Sequence, residues 1–221
     1  MKLTKTDLEA VKRGDSNYLN SKGANAYVNE DYKTAAEYYH LASTMGNVNA
    51  ICNLGYCYLY GRHDEANLNL AIAYFEAAST RNNIEAMYKL GDIYGSDKWG
   101  VKDEEMSIYY YRNAASFIIR EDWGEYTIAY EDELNKYPSL CFALGRELMP
   151  AGHMNTDIEC AYQFLKHAES GYKREVANGA HFYEKPLNNV KELLDEEIFD
   201  EYEEKYRDIF DEGEIVDIDE E

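Results

Sequence analysis

Asn49-Ala50-Ile51-Cys52-Asn53-Leu54-Gly55-Tyr56-Cys57-Tyr58 and Glu85-Ala86-Met87-Tyr88-Lys89-Leu90-Gly91-Asp92-Ile93-Tyr94 share one pattern, Ala-x-x-x-Leu-Gly-x-x-Tyr, set 36 residues apart. A third copy, Leu140-Cys141-Phe142-Ala143-Leu144-Gly145-Arg146-Glu147-Leu148, follows 54 residues after the second, so about half a repeat is inserted between them. A second element follows each copy. Ala71, Tyr74, Phe75 and Ala78 fall at steps 0, 3, 4 and 7, and Ser107, Tyr110, Tyr111 and Ala114 repeat them. So do Ala161, Phe164, Leu165 and Ala168, and, before the first copy, Ala35, Tyr38, Tyr39 and Ala42. Those steps trace one face of an α-helix. Each unit therefore reads as a helix pair, in which a small residue on the first helix admits a large one from the second. One pair cannot bury both its faces, whereas stacked pairs close a continuous core.

The rest of the chain narrows the class. It has 221 residues, 45% of them hydrophobic and 14% aromatic, too apolar for a disordered polymer. No apolar run reaches the length of a bilayer span. The opening residues Met1 to Asp7 have neither an apolar core nor a small-residue cleavage site, so a cytoplasmic protein is expected. Net charge is -21, which disfavours nucleic-acid backbones and anionic lipid as partners. Most of that charge is local: residues 192–221 hold 16 acidic and 2 basic side chains. Cys52, Cys57, Cys141 and Cys160 form no Cys-x-x-Cys pair and are expected to be reduced packing residues.

With its Gly-rich turn, the helix-pair pattern resembles the Sel-one-like repeat, a relative of the tetratricopeptide repeat. That family's turn usually reads Gly-x-Gly-Val followed by Asp, and Gly100-Val101-Lys102-Asp103 fits it. Gly61-Arg62-His63-Asp64-Glu65 keeps only the first glycine, and Pro150-Ala151-Gly152-His153 departs further. The first unit, with its short Val28-Asn29-Glu30-Asp31 connection, looks more like a tetratricopeptide repeat. The resemblance spans about residues 17–171 and implies an all-α fold, a right-handed α-solenoid acting as a non-enzymatic scaffold or adaptor. Its partner would be a protein or peptide held on the concave face, which the first helix of each pair lines.

The whole chain is expected to be one such domain. A short helix over 7–13, capped by Thr6, leads in within residues 1–16, and residues 17–171 carry the repeats. The insertion 117–137, with Trp123, Tyr126, Ile128, Tyr130 and Leu134, reads as a helical extension plus one short helix. Residues 172–211 read as capping helices. The first is a degenerate one over 172–184 with Val176, Ala180 and Tyr183 inward. A long amphipathic helix follows, with Leu187, Val190, Leu194, Ile198, Tyr202 and Ile209 inward and Glu192, Asp195, Glu196, Glu203 and Glu204 outward. Residues 212–221 read as an acidic frayed tail.

Chemistry is sparse. No phosphate-binding loop, nucleophile elbow or zincin helix occurs. His153, Cys160 and His167 recur at intervals of seven, but two helical turns separate the last two by about 10 Å, too far to share one ion. No metal or cofactor is expected. A Cys141 or Cys160 nucleophile meeting His167 would sit among core positions, so the chain is not read as an enzyme. The 22 tyrosines are more informative. Tyr38, Tyr39, Tyr58, Tyr74, Tyr94, Tyr110 and Tyr111 fall on core positions of the pattern, whereas Tyr56, Tyr60, Tyr88 and Tyr109 do not. Asn53, Tyr56, Tyr60, Tyr88, Lys89 and Asp92 are the expected border of a partner-binding groove, because tyrosine couples a large apolar ring to a hydrogen-bonding tip. The alternatives are that the acidic C-terminal helix acts as a decoy for a basic or nucleic-acid-binding protein and, less favoured, a cysteine-dependent or hydrolytic enzyme.

Overall fold

The computed structural model describes residues 3–117, 119–122, 125–128, 134, 137–152 and 155–211, and it divides into two compact units, Met1–Phe117 and Ile118–Glu221. The first unit is a run of seven helices: α1 (Lys5–Arg13), α2 (Ser16–Val28), α3 (Tyr32–Thr44), α4 (Val48–Tyr60), α5 (Leu68–Ser79), α6 (Ile84–Gly95) and α7 (Glu104–Ala115). The pairs α2–α3, α4–α5 and α6–α7 are the predicted repeats, and their succession makes an α-solenoid.

Capping side chains set the repeat lengths. Asp15, Asn47 and Asn83 sit at the N-caps of α2, α4 and α6, each accepting from the backbone N–H three residues on. Asp31, Asn67 and Asp103 do the same for α3, α5 and α7. The backbone N–H of Asn67 and of Asp103 donates to the carbonyl of Tyr58 and of Tyr94, the last position of the Ala-x-x-x-Leu-Gly-x-x-Tyr pattern, at 2.9 and 2.8 Å. Each turn is thereby tied to the helix it leaves.

The pattern's glycine lies where the second helix of the pair crosses. A Cβ at Gly55 would lie 2.7 Å from the Phe75 ring, at Gly91 2.9 Å from Tyr111, and at Gly23 2.6 Å from Tyr39. Only a bare backbone permits that approach. Phe75, Leu54 and Leu90 are fully buried, as are Ala35, Ala71 and Ala78. Among the seven tyrosines assigned to the core, Tyr38, Tyr39, Tyr110 and Tyr111 are buried, while Tyr58, Tyr74 and Tyr94 are half-buried. The latter form parallel stacks, Tyr58 on Tyr74 at 5.4 Å and Tyr94 on Tyr110 at 5.9 Å.

The lead-in helix starts two residues earlier than the sequence suggests. Thr4, not Thr6, is the N-cap, because Asp7 completes a capping box: Thr4 N–H donates to Asp7 Oδ2 at 2.8 Å and Asp7 N–H to Thr4 Oγ1 at 3.2 Å. Asp7 is fully buried and also accepts from Tyr38 at 2.9 Å, which locks α1 onto the second helix of the first repeat. Burial raises its pKa, but the Thr4 and Tyr38 hydrogen bonds outweigh this and leave it below the ordinary 3.8.

In the second unit, α8 (Pro138–Glu147) and α9 (Ile158–Ala177) form the fourth helix pair, again with a glycine at the crossing, Gly145, where a Cβ would lie 2.7 Å from Leu165. The insertion departs from its helical reading. Residues Ile119–Asp122 and Glu125–Ile128 are the strands β1 and β2 of an antiparallel hairpin, with Asp122 opposite Glu125 and Ile119 opposite Ile128. The segment is rich in β-branched and aromatic residues, which favour extended backbone. Leu134 is fully buried; Trp123 and Tyr130 lie outside the described residues.

The degenerate helix over 172–184 is absent as a separate element. α9 runs on through Tyr172 to Ala177, and a 3-10 turn over His181–Tyr183 leads to α10 (Glu184–Leu194). The long amphipathic helix is broken too. Glu196 is extended, a 3-10 turn covers Glu197–Phe199, and α11 (Asp200–Asp211) follows. The break shifts the register: Ile198, expected inward, is 38% exposed, and Phe199 takes the buried place at 1%. Ile209, His153 and the tail 212–221 fall outside what the side-chain description covers.

α11 lies on α9 through a ring cluster. Tyr162 meets Phe199, Tyr202, Tyr206 and Phe210 with centroids 5.8 to 6.3 Å apart. At its edge Lys205 donates to Glu159 at 2.6 Å, Tyr206 hydroxyl donates to the same carboxylate, and Gln163 donates to Tyr206 at 2.8 Å. Glu192, Asp195, Glu196, Glu203 and Glu204 all face solvent. Among the described residues no helix is long and apolar enough to cross a membrane.

Candidate functional site

α2, α4 and α6 are the first helices of their pairs, and polar side chains join them rung by rung. Asn47 Nδ2 donates to Asn17 Oδ1 at 2.8 Å, and one repeat on Asn83 Nδ2 donates to Asn49 Oδ1 at 3.0 Å. Each N-cap asparagine therefore closes its own helix with one amide atom and grips the preceding repeat with the other. Farther along, Asn53 Nδ2 donates to Asn20 Oδ1 at 3.1 Å, and the hydroxyls of Tyr56 and Tyr88 meet at 3.1 Å.

All six residues expected at the groove lie on this helix face, and five of them converge. Tyr56 and Tyr60 stack nearly parallel, 6.2 Å apart at 12°, and Tyr56 also meets Phe75 edge-on at 5.1 Å. Lys89 sits over both Tyr56 and Tyr88, its Nζ 5.7 and 5.1 Å from the ring centroids. Its Nζ donates to Asp92 Oδ2 at 2.7 Å, and the other Asp92 oxygen accepts from Tyr111 at 2.6 Å. Burial works against the Lys89 charge, but Asp92 more than offsets it and holds the pKa above the ordinary lysine value. Asn53 stands apart, in its own rung with Asn20.

Exposure grades the set. Tyr60 is 45% exposed, and Asn53, Tyr56, Lys89 and Asp92 are half-buried. Tyr88, read from the sequence as lying off the core, is instead buried, because its position faces the neighbouring Tyr56. Tyr109 is 56% exposed, but it lies on α7, the second helix of its pair, away from this face.

Sequence reasoning missed three contributors. Tyr111 was counted as core, yet its hydroxyl reaches Asp92. The asparagine rungs carried a signal, Asn47 and Asn83 at the 36-residue period, which the apolar pattern drew attention away from. Glu85 lies in the first turn of α6, and burial raises its pKa, with Tyr56 and Lys89 only partly opposing the rise.

The cysteines face inward: all four are buried free thiols. Burial pushes the Cys57 thiol up to about 11 and that of Cys160 to about 12, and raises Cys52 and Cys141 as well. A nucleophilic cysteine needs the opposite shift. Among the described residues no three His, Cys, Asp or Glu side chains gather to hold a metal ion.

A model of the Sel1 repeat matches residues 12–47, 48–83 and 84–116, each match spanning one of the helix pairs just described. The α8–α9 pair lies outside the match. Among solved structures, a Sel1 repeat protein from Oxalobacter formigenes is 24% identical, over 49% of this chain and 85% of that one, with a TM-score of 0.43. The protective antigen c5321 of uropathogenic Escherichia coli, which displays an SLR fold, is 14% identical over 92% of this chain, with a TM-score of 0.47. This chain covers 54% of that antigen's chain. No curated protein matches. Residues 12–116 therefore carry three Sel1 repeats in succession, each with its glycine-to-aromatic crossing.

Proposed function

We propose that the protein is a scaffold that holds a protein or peptide partner on the face formed by α2, α4 and α6, with Asn53, Tyr56, Tyr60, Tyr88, Lys89 and Asp92 at the contact. Sel1 repeats in general act as protein-interaction scaffolds. The observation that carries the reading is the exposed Tyr60 ring stacked on Tyr56 and continuous with the hydroxyl pair and the Lys89–Asp92 bridge. A pre-ordered aromatic and polar surface of this kind loses little side-chain freedom on binding. Alanine substitution of Tyr60, compared with Leu70→Ala on the exposed side of α5, tests it by affinity capture from the native source. Both variants should melt within a degree or two of the parent, and only Tyr60→Ala should release the partner. Loss of the partner with Leu70→Ala alone would move the site to the other helix face.

The decoy reading places a basic partner on the carboxylates of α11. Its apolar side is spent on Tyr162, which favours a cap for the last helix pair. Should the captured complex dissociate in moderate salt yet survive Tyr60→Ala, the acidic helix would be the binding element.

A further inference from the structure

We infer that the outward side of α9 is a docking seat for a basic amphipathic helix, which α11 occupies in the resting chain as a displaceable strap. The seat lies in the second unit and does not depend on the α2–α4–α6 face.

The way α11 sits on α9 defines the ligand. Tyr202, Tyr206 and Phe210 are four residues apart on one side of α11, and all three rings meet Tyr162, with centroids 6.0 to 6.3 Å away. Lys205, just ahead of the second ring, donates to Glu159 at 2.6 Å, and Gln163 donates to the Tyr206 hydroxyl at 2.8 Å. Lys166 lies over the third ring, its Nζ 5.8 Å from the Phe210 centroid. The seat therefore takes three rings, one per helical turn, and one cation, as a helix lying in a groove supplies them.

Three features make the strap removable. No residue of α11 whose exposure is described is buried, whereas Phe199 just ahead of it is 1% exposed and Val190 in α10 is fully buried. The 3-10 turn over Glu197–Phe199 interrupts the α-helical backbone there, so α11 can swing about the seated Phe199 while α10 keeps its place along α9. The ion pair that latches α11 lies at the solvent edge, with the Lys205 and Glu159 side chains 55% and 39% exposed, and exposed pairs hold weakly. Once released, a helix of 12 residues is marginal by itself and regains chain entropy by unwinding.

Charge selects the occupant. Residues 118–221 hold 28 acidic and 10 basic side chains, and α11 itself holds 6 and 2. The strap thus lays an acidic helix on an acidic body, and its last turn has no basic residue to meet the helix dipole. A partner helix with the same rings and with lysine or arginine on its outer side keeps the contacts of α11 and replaces repulsion by attraction. It needs that gain, because the tethered α11 competes at an effective concentration on the order of millimolar.

The test uses the full chain and a fluorescein-labelled peptide copying residues 197–211 with lysine at each of the seven acidic positions. One control peptide keeps the lysines and has serine for Tyr202, Tyr206 and Phe210; the other is the natural 197–211 sequence. By fluorescence anisotropy the lysine peptide should bind about tenfold tighter than either control. At saturation, hydrogen exchange should quicken in α11 and stay unchanged in α10. Tyr206→Ser in the chain weakens the strap without touching the seat, and it should raise the affinity of the lysine peptide about fivefold. Equal affinity of the lysine and serine peptides would mean charge attraction alone and overturns the seat. So does an α11 that stays protected at saturation, or an affinity that Tyr206→Ser leaves unchanged. A natural-sequence peptide that binds as tightly as the lysine form overturns the basic partner. Should Tyr206→Ser fail to fold, the peptides and hydrogen exchange on the parent chain decide by themselves.

Discussion

The α4–α5 pair in the first unit and the α8–α9 pair in the second share one crossing and differ in how their first helix begins. Both place a glycine under a large side chain, Gly55 under Phe75 and Gly145 under Leu165. α4, however, starts at Asn47, whose side chain caps the helix and also grips Asn17. α8 starts at Tyr137 with Pro138 behind it and no side-chain cap. The crossing makes a helix pair; the capping asparagine makes the pair a repeat. The Sel1 match stops at residue 116, and the last asparagine rung among the described residues is that of Asn83 with Asn49.

The hardest blow to this contrast is Phe75→Ala. The ring is fully buried, and its loss should cost about 3–5 kcal/mol. With two compact units, a single melting curve would mix their transitions, so hydrogen exchange resolved by helix is the better measurement. Protection should fall across α3 to α6 and persist in α8 and α9. Equal loss in both would mean that the two units unfold as one, and the contrast would not hold energetically.

Asp7→Asn should follow, at about 1.5–3 kcal/mol, because it removes a buried charged acceptor from Thr4 and Tyr38. The sign of the pH effect is fixed by the depressed pKa. The stabilisation from Asp7 is complete above the ordinary 3.8 and is lost as pH falls through the lower folded value. Denaturant titrations at pH 7 and below pH 3 should show the parent and Asp7→Asn converging in acid. A gap unchanged in acid would mean the side chain acts by shape alone.

These effects separate what the sequence could disclose from what it could not. The glycine crossings and the alanine–aromatic faces are period-bound and repeat within one chain, so they read directly. α1, the C-terminal extension of α9 over 172–177 and the helices that follow it do not repeat and were placed by local pattern only. Thr4 competed with Thr6 for the cap, and Asp7 decided it by a side-chain bond to the backbone that periodicity does not register. The α10–α11 break turns on Phe199, whose burial against Tyr162 outweighs the helical register that would have buried Ile198. The hairpin over 119–128 was misread because short apolar runs fit strand and helix alike. In the candidate site, the tyrosines were found as departures from the repeat, but Glu85 looked like any first-turn acid, because its closeness to Tyr56 and Lys89 depends on how α6 packs on α4.

Gly55→Ala and Gly145→Ala sharpen the crossing itself. A Cβ at either position meets its neighbour at 2.7 Å, an overpacking that typically costs about 1–3 kcal/mol. The larger cost should fall on Gly55, since Phe75 is held edge-on by Tyr56, while Leu165 can change rotamer. Equal costs would show that both side chains are equally fixed and that the two crossings are interchangeable.

The smallest effect asks whether a cap alone separates the two pairs. Tyr137→Asp gives α8 the kind of N-cap that α3 and α7 use, ahead of a proline that is already compatible with the first helical position. A cap of this kind is worth about 1 kcal/mol, and the half-buried Tyr137 ring that it replaces offsets part of the gain. A net stabilisation of a few tenths of a kcal/mol, seen as slower exchange of the first α8 amides, is expected. Asn83→Ala in the array should lose about 1 kcal/mol from its cap and more from its bond to Asn49, since one amide serves both. If Tyr137→Asp destabilises the unit instead, the tyrosine ring already holds the α8–α9 pair in place of a cap, and that pair would be a distinct kind of unit rather than a worn copy of the repeat.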